Sequence, residues 1–131
     1  MHEVRIRTRW TDFDALGHIT HAAYPVFLDE ARDAYLTEAV GSFDQWPWVV
    51  AHVSIDYRSE LPAGALYRVL SGIGKVGRSS LVTVHRMFAS ENDELAAECE
   101  MTSVYFDLSA RASCPMPLAL RDAATALLPA A

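Results

Sequence analysis

Trp10 to Arg32 reads WTDFDALGHITHAAYPVFLDEAR, a polar loop running straight into an apolar-striped helix. Its first half crowds Asp12, Asp14, Gly17, His18 and His21 into one short segment, Thr11–Thr20 and the residue after it, read as a loop. Its second half changes period. Tyr24, Phe27, Leu28, Ala31, Tyr35 and Ala39 fall on one helical face, while Asp29, Arg32, Asp33 and Thr37 fall mostly on another. The helix is expected from Ala22, with its cap at Thr20 or His21. Pro25 suits the first turn, where a missing N–H costs nothing, and Gly41 is a stop signal. Two turns carry little charge, so this helix needs a broad apolar partner.

The sequence on either side supplies strands. Val4, Ile6, Thr8 and Trp10 alternate with Arg5, Arg7 and Arg9, a period of two that predicts a strand over 3–10 with one basic face. After an Asp44-Gln-Trp-Pro loop, 49–58 (VVAHVSIDYR) reads as a second strand, closed by the turn Leu61-Pro-Ala-Gly. Strands over 66–76, 81–89 and 95–108 follow, separated by Gly77-Arg-Ser-Ser and Ser90-Glu-Asn-Asp-Glu. Short turns make the last three antiparallel neighbours. The expected order is strand, helix, then at least four strands in a meander, with a short helix over 118–128. One helix covers a long twisted sheet only if the sheet curls around it, so the fold class is α+β.

The totals narrow the function. The 131 residues suit one domain, 1–131, with a real core. Hydrophobic residues make up 51% and charged residues 21%, a globular balance. A formal net charge of -6 argues against nucleic acid as the main partner, because phosphate backbones need clustered Lys and Arg. The two cysteines, Cys99 and Cys114, fit no common zinc spacing or disulfide scaffold. No apolar signal core opens the chain and no run of about 18 apolar residues occurs. The expectation is a cytoplasmic protein without a membrane anchor.

The loop offers three chemistries. Asp12 and Asp14 are turn formers or caps in the plainest reading. They are metal ligands with His18 and His21 in the second, but no third strong ligand stands nearby. In the third, a carboxylate near a helix N-terminus faces free backbone N–H groups able to hold an oxyanion. Gly17 allows the backbone to approach a ligand closely. An acyl carbonyl polarised there would be attacked by the carboxylate, or by water that the carboxylate activates. Neither cysteine lies beside a histidine in sequence.

These residues carry a resemblance. D-x-D-x-x-G-H (Asp12–His18), H-A-A-Y (His21–Tyr24) and E-A-R (Glu30–Arg32) resemble the opening of the hotdog-fold thioesterases, nearest the 4-hydroxybenzoyl-CoA thioesterase-like and YbgC-like acyl-CoA thioesterases. Phe106-Asp107 and the Pro-containing Cys114–Pro117 extend the likeness along nearly the whole chain. The resemblance implies a curved antiparallel sheet of about five strands wrapped around one long helix. It implies a homodimer or homotetramer with active sites at the dimer interface, and an acyl-CoA substrate, with coenzyme A as part of that substrate and no metal or other cofactor. Asp14 takes the position of the catalytic nucleophile or general base, and Asp12 becomes structural or secondary. His21, seven residues on, matches a family histidine, and its backbone N–H resembles the thioester-polarising donor. Tyr24 matches a frequent aromatic, His18 is a supporting substrate contact, and Arg78 and Ser79 lie where relatives approach coenzyme A. Many relatives read G-H-V-N-N where this chain has Gly17-His-Ile-Thr-His21, a difference that bears on the acyl group.

Beyond these, His52 and His85 are expected half-buried or facing solvent. Glu30 and Arg32 are expected in ion pairs, and Trp46 and Trp48 at a core edge. Two other functions fit the same loop: hydrolysis of acyl carrier protein thioesters, with the Arg5, Arg7, Arg9 row as docking surface, and a non-catalytic module that binds an acyl ligand.

Overall fold

The computed structural model describes residues 2–41, 46–62, 66–89 and 94–129. Strand β1 (His2–Arg7) leads through a 3-10 turn (Trp10–Asp12) and the loop into helix α1 (Ala23–Val40). Then come β2 (Trp48–Tyr57), β3 (Leu66–Val76), β4 (Ser80–Ala89), β5 (Leu95–Asp107), the two-residue β6 (Ala112–Ser113) and α2 (Leu118–Thr125). The strands form a curved antiparallel sheet in the order β1-β3-β4-β5-β2, with β6 paired to the end of β5. This is the hotdog arrangement, one long helix against a wrapping sheet.

β1 shows why its period was legible. Val4 and Ile6 turn inward, Ile6 completely, while Glu3, Arg5 and Arg7 face out. The strand stops at Arg7, three residues short of the expected end, because Asp12 competes for the backbone. Its carboxylate accepts the Arg9 N–H at 2.7 Å and the Arg9 guanidinium at 3.0 Å, closing the 3-10 turn.

Helix α1 buries Tyr24, Phe27, Leu28, Ala31 and Tyr35 of the expected stripe; Leu36 and Arg32 are buried besides, and Ala39 is only half-buried. Gly41 ends it at φ 99°, a conformation that favours glycine. The start differs from expectation. Ala22 occupies the cap position, and among the described residues no side chain caps the helix. Backbone carbonyls stand in: Ala23 N–H donates to Thr20 O at 3.0 Å and Tyr24 N–H to His21 O at 3.3 Å.

The four-strand meander also needs correction. β3, β4 and β5 are consecutive neighbours, but β2 pairs with β5, not with β3. The connection after Tyr57 therefore crosses from the β2 edge to β3, the strand beside the opposite edge, rather than forming a hairpin. Pro62 makes an isolated bridge with His18, and Leu61 O accepts the Ile19 N–H at 3.0 Å, so this connection packs against the Asp14 loop. Of the expected turns, Asp44-Gln45, Ala63-Gly64 and Ser90–Asp93 lie outside the described residues.

The core has two apolar clusters with a polar belt between them. One gathers Ile6, Phe27, Leu28, Tyr67, Val69, Met87 and Met101 around the first half of the helix. The other gathers Leu36, Trp48, Ile73, Leu81, Met116 and Leu120 around its end. Along the inner face of β3, β4 and β5, Ser71, Thr83, His85 and Ser103 lie between these groups, all within 1% of full burial. His85 bonds Ser71 Oγ at 2.7 Å and Thr83 Oγ1 at 2.9 Å, and Arg32 reaches Ser103 Oγ at 3.3 Å. The expectation that His85 is half-buried or facing solvent is thus overturned: the Ser71 hydroxyl on the neighbouring strand and the Thr83 hydroxyl on its own strand satisfy its ring, which offsets the cost of burial. Trp48 joins the core edge as expected. Arg32 makes the expected ion pair, to Asp33 at 3.0 Å, but from a buried position.

Candidate active site at the helix N-terminus

The Asp14 loop is a self-bonded knot. Asp14 Oδ1 accepts the N–H of Leu16 at 2.9 Å and of His18 at 3.1 Å. The Asp14 N–H donates to His18 O at 2.8 Å, and the Gly17 N–H to Asp14 O at 3.2 Å. Gly17 sits at φ +78°, which lets the chain reverse between the aspartate and the histidine. The carboxylate is thereby fixed in place while staying exposed to solvent. The His18 N–H is the main cause that holds its pKa below 3.8; desolvation opposes it, and the Leu16 N–H and the nearby His18 ring add to it. Asp14 is a carboxylate at neutral pH.

Asp12 has a different environment. It is buried, pairs with Arg9, and its carbonyl accepts the Thr20 N–H at 2.8 Å. It braces the loop from behind.

Asp14, His18, His21 and Tyr24 line one cavity of about 400 Å³. The opposite wall is Tyr57, Arg58, Ser59, Glu60 and Leu61, from the end of β2 and the crossing connection. Tyr24 meets Tyr57 edge to face, with ring centroids 4.9 Å apart. Burial pushes the Tyr24 phenol up to about 12, with Tyr57 adding to the rise and the Leu61 backbone opposing it, so it is a neutral wall. The helix begins here, and its first N–H groups point toward this end, those of Ala23 and Tyr24 already taken by Thr20 O and His21 O. Asp14 thus shares a cavity with the positive end of a helix dipole.

The sequence had no means of finding the second wall. Tyr57–Leu61 lies far along the chain from the loop, and only the crossing connection brings it there. Arg78 and Ser79 fall elsewhere. They form the β3–β4 turn, where Ser79 O accepts the Tyr105 N–H at 2.8 Å and Arg78 O the Met116 N–H at 3.0 Å. Ser80 pairs with Val104, which pairs with Val49, at the start of β2, whereas the cavity is at its end. At ~3.3 Å per residue, β2 separates the two by roughly 25 Å within one chain.

Among the described residues no group of three or more His, Cys, Asp or Glu side chains is placed to hold a metal ion. Burial pushes the Cys99 thiol up to about 12, with Asp56 and Glu98 adding to it, so it is no thiolate nucleophile. No helix is long and apolar enough to cross a membrane among the described residues.

Residues 8–124 match the Thioesterase-like superfamily, and the chain belongs to it. Solved structures agree. The PA5185 protein of Pseudomonas aeruginosa superposes with a TM-score of 0.88 at 28% identity, covering 100% of this chain and 94% of its own. A thioesterase of Thermus thermophilus, crystallised in complex with coenzyme A and zinc, gives 0.81 at 29% identity, with 95% and 91% covered. A predicted thioesterase of Bacillus stearothermophilus shares the fold, with a TM-score of 0.85 at 23% identity over 96% of this chain and 95% of its own. No curated protein matches the chain by sequence. Thioester hydrolysis is the activity to which the superfamily and the Thermus thermophilus thioesterase point.

Proposed function

We propose that this protein hydrolyses acyl-CoA thioesters to a free acid and coenzyme A, within the 4-hydroxybenzoyl-CoA thioesterase-like and YbgC-like branch of the superfamily. The observation that carries the reading is Asp14: an ionised carboxylate, fixed by two backbone N–H groups, lining a cavity of about 400 Å³ with the helix N-terminus. A cavity of that size falls in the usual range for small-molecule sites.

In this reading the thioester carbonyl lies against the backbone N–H at His21, where the dipole of α1 stabilises the developing oxyanion. Asp14 attacks the carbonyl carbon, or takes a proton from the water that does. The tetrahedral intermediate then collapses, the C–S bond breaks, and coenzyme A leaves as its thiolate. Where Asp14 attacked, the acyl-Asp14 anhydride left behind is hydrolysed by water, which releases the acid and restores the carboxylate; where water attacked, the acid forms directly and the proton held by Asp14 passes to the thiolate. Gly17 gives the loop its reversal, and Tyr24 and His18 contact the substrate. The chemistry calls for no metal or other cofactor.

The reading also needs a second subunit. β2 is an edge strand of 10 residues whose Val49, Val50, Val53 and Tyr57 are 45%, 39%, 37% and 52% exposed. A long edge with such side chains is a pairing surface. The cavity opens at the end of this strand, through Tyr57 and Arg58. A homodimer paired there, alone or within a homotetramer, puts the site at its interface and allows the partner's Arg78–Ser79 turn to serve coenzyme A. A carrier-protein substrate has less support, since Arg5 pairs with Glu3 at 3.7 Å and Arg9 with Asp12 at 3.0 Å. A location in the cytoplasm, where acyl-CoA is made and used, fits the substrate.

A thiol-release screen across short, long and aromatic acyl-CoAs tests the reading. Turnover of at least one class is expected. Ligand-induced stabilisation without any turnover would replace the enzyme by an acyl-binding module.

A further inference from the structure

Glu60 is an exposed residue on the crossing connection after β2, and its charge has a specific partner. Its Oε2 lies 3.2 Å from Nε2 of His18. The His18 backbone in turn holds Asp14 from both sides, donating to its Oδ1 at 3.1 Å and accepting its N–H at 2.8 Å. The bridge between His18 and Pro62 ties the same two segments together two residues beyond Glu60.

The pair also stands at a junction. His18, Ser59, Glu60 and Leu61 line the cavity that contains Asp14, and the same four line a neighbouring one of about 410 Å³ that continues toward Pro62, Ala89 and Ala96. A thioester has two arms, an acyl group and a pantetheine, with the reacting carbonyl between them. Two adjoining cavities with the His18–Glu60 contact at their junction match that shape.

We propose that Glu60 is a positioning residue: its carboxylate pins the His18 ring at the junction of the two cavities and thereby fixes the Asp14 carboxylate against the thioester. The inference rests on the acyl-CoA reading and deepens it. Glu60 itself acts through His18. Its side chain is 74% exposed, so its replacement leaves the core intact.

The test pairs kinetics with amide exchange. Glu60→Gln keeps the size and removes the charge. It is expected to lower kcat about threefold, the scale of one exposed polar contact, with KM and the unfolding midpoint little changed. Glu60→Asp is expected to recover part of the loss. In a double-mutant cycle, Glu60→Gln adds nothing to His18→Gln, because both remove one interaction. Independently of turnover, Glu60→Gln is expected to speed amide exchange at Asp14 and His18 and leave the Leu28–Leu36 helix amides unchanged. Additive kinetic losses, or unchanged kcat together with unchanged exchange, would overturn the proposal. If the wild-type protein releases no thiol from any acyl-CoA, the functional reading fails, while the exchange measurement still decides whether Glu60 positions the loop.

Discussion

Asp14 and Asp12 are separated by a single residue and do opposite work because their partners differ. Asp12 commits its carboxylate to Arg9 and is buried; Asp14 is held by its own loop amides and stays open to a cavity. The sequence motif distinguished the two only through a resemblance, since both are acidic and both sit in a turn. The local hydrogen bonds supply the physical reason. They also set a pH expectation. The Asp14 pKa is lowered below 3.8, so any acid limb of activity due to Asp14 lies below that value. A pH–rate profile of kcat/KM is expected to stay flat through the mildly acidic range where ordinary carboxylates begin to protonate. Gly17 invites a second substitution. A Cβ there meets no atom within 4 Å, so Gly17→Ala introduces backbone strain alone, at φ +78°. It is expected to cost about 1 kcal/mol in denaturant unfolding and to reduce kcat by displacing the loop.

The helix was the most legible element, because its apolar stripe, Pro25 and Gly41 all mark the same segment. Leu28 and Leu36 are fully buried in the two core clusters, and truncation of either to Ala is expected to cost about 2–5 kcal/mol in chemical denaturation. The polar belt beside the helix was not legible. Period-two patterning says which residues of β3, β4 and β5 share a face; it does not say that Ser71, Thr83, His85 and Ser103 meet across three strands. Their meeting has a measurable consequence. Burial, with Arg32 nearby, lowers the His85 pKa from 6.5 to about 4. The unfolded chain therefore binds a proton that the folded chain refuses, so stability is whole above pH 6.5 and is lost as pH falls toward about 4. The loss is on the order of 3 kcal/mol from this one site. His85→Gln is expected to flatten that part of the stability–pH curve; an unchanged slope would show that other groups carry it.

At the scale of the whole molecule, the crossing connection is what joins sheet to site. The five long strands were readable from turn residues, though the two-residue β6 was not, and neither was the strand order: a meander with β2 next to β3 has the same sequence pattern as the observed sheet with β2 beside β5. That difference places Tyr57–Leu61 against the Asp14 loop and leaves β2 as an exposed edge. In the proposed dimer this edge is the interface. Val53→Lys, near the middle of β2, is expected to yield a folded monomer in sedimentation with little or no thioesterase activity. An intact, active oligomer would move the interface elsewhere.

In the proposed mechanism everything turns on Asp14 as the working carboxylate of a thioesterase. The direct measurement is thiol release from the best acyl-CoA substrate by Asp14→Asn beside the wild-type protein, with unfolding curves recorded for both. Asn keeps the shape and an acceptor oxygen for the Leu16 and His18 amides, so the fold is expected to survive. A fall in kcat of about 10²–10⁴, the usual scale of a positioned acid–base group, is the predicted result. A folded Asp14→Asn protein that turns over at the wild-type rate would contradict it.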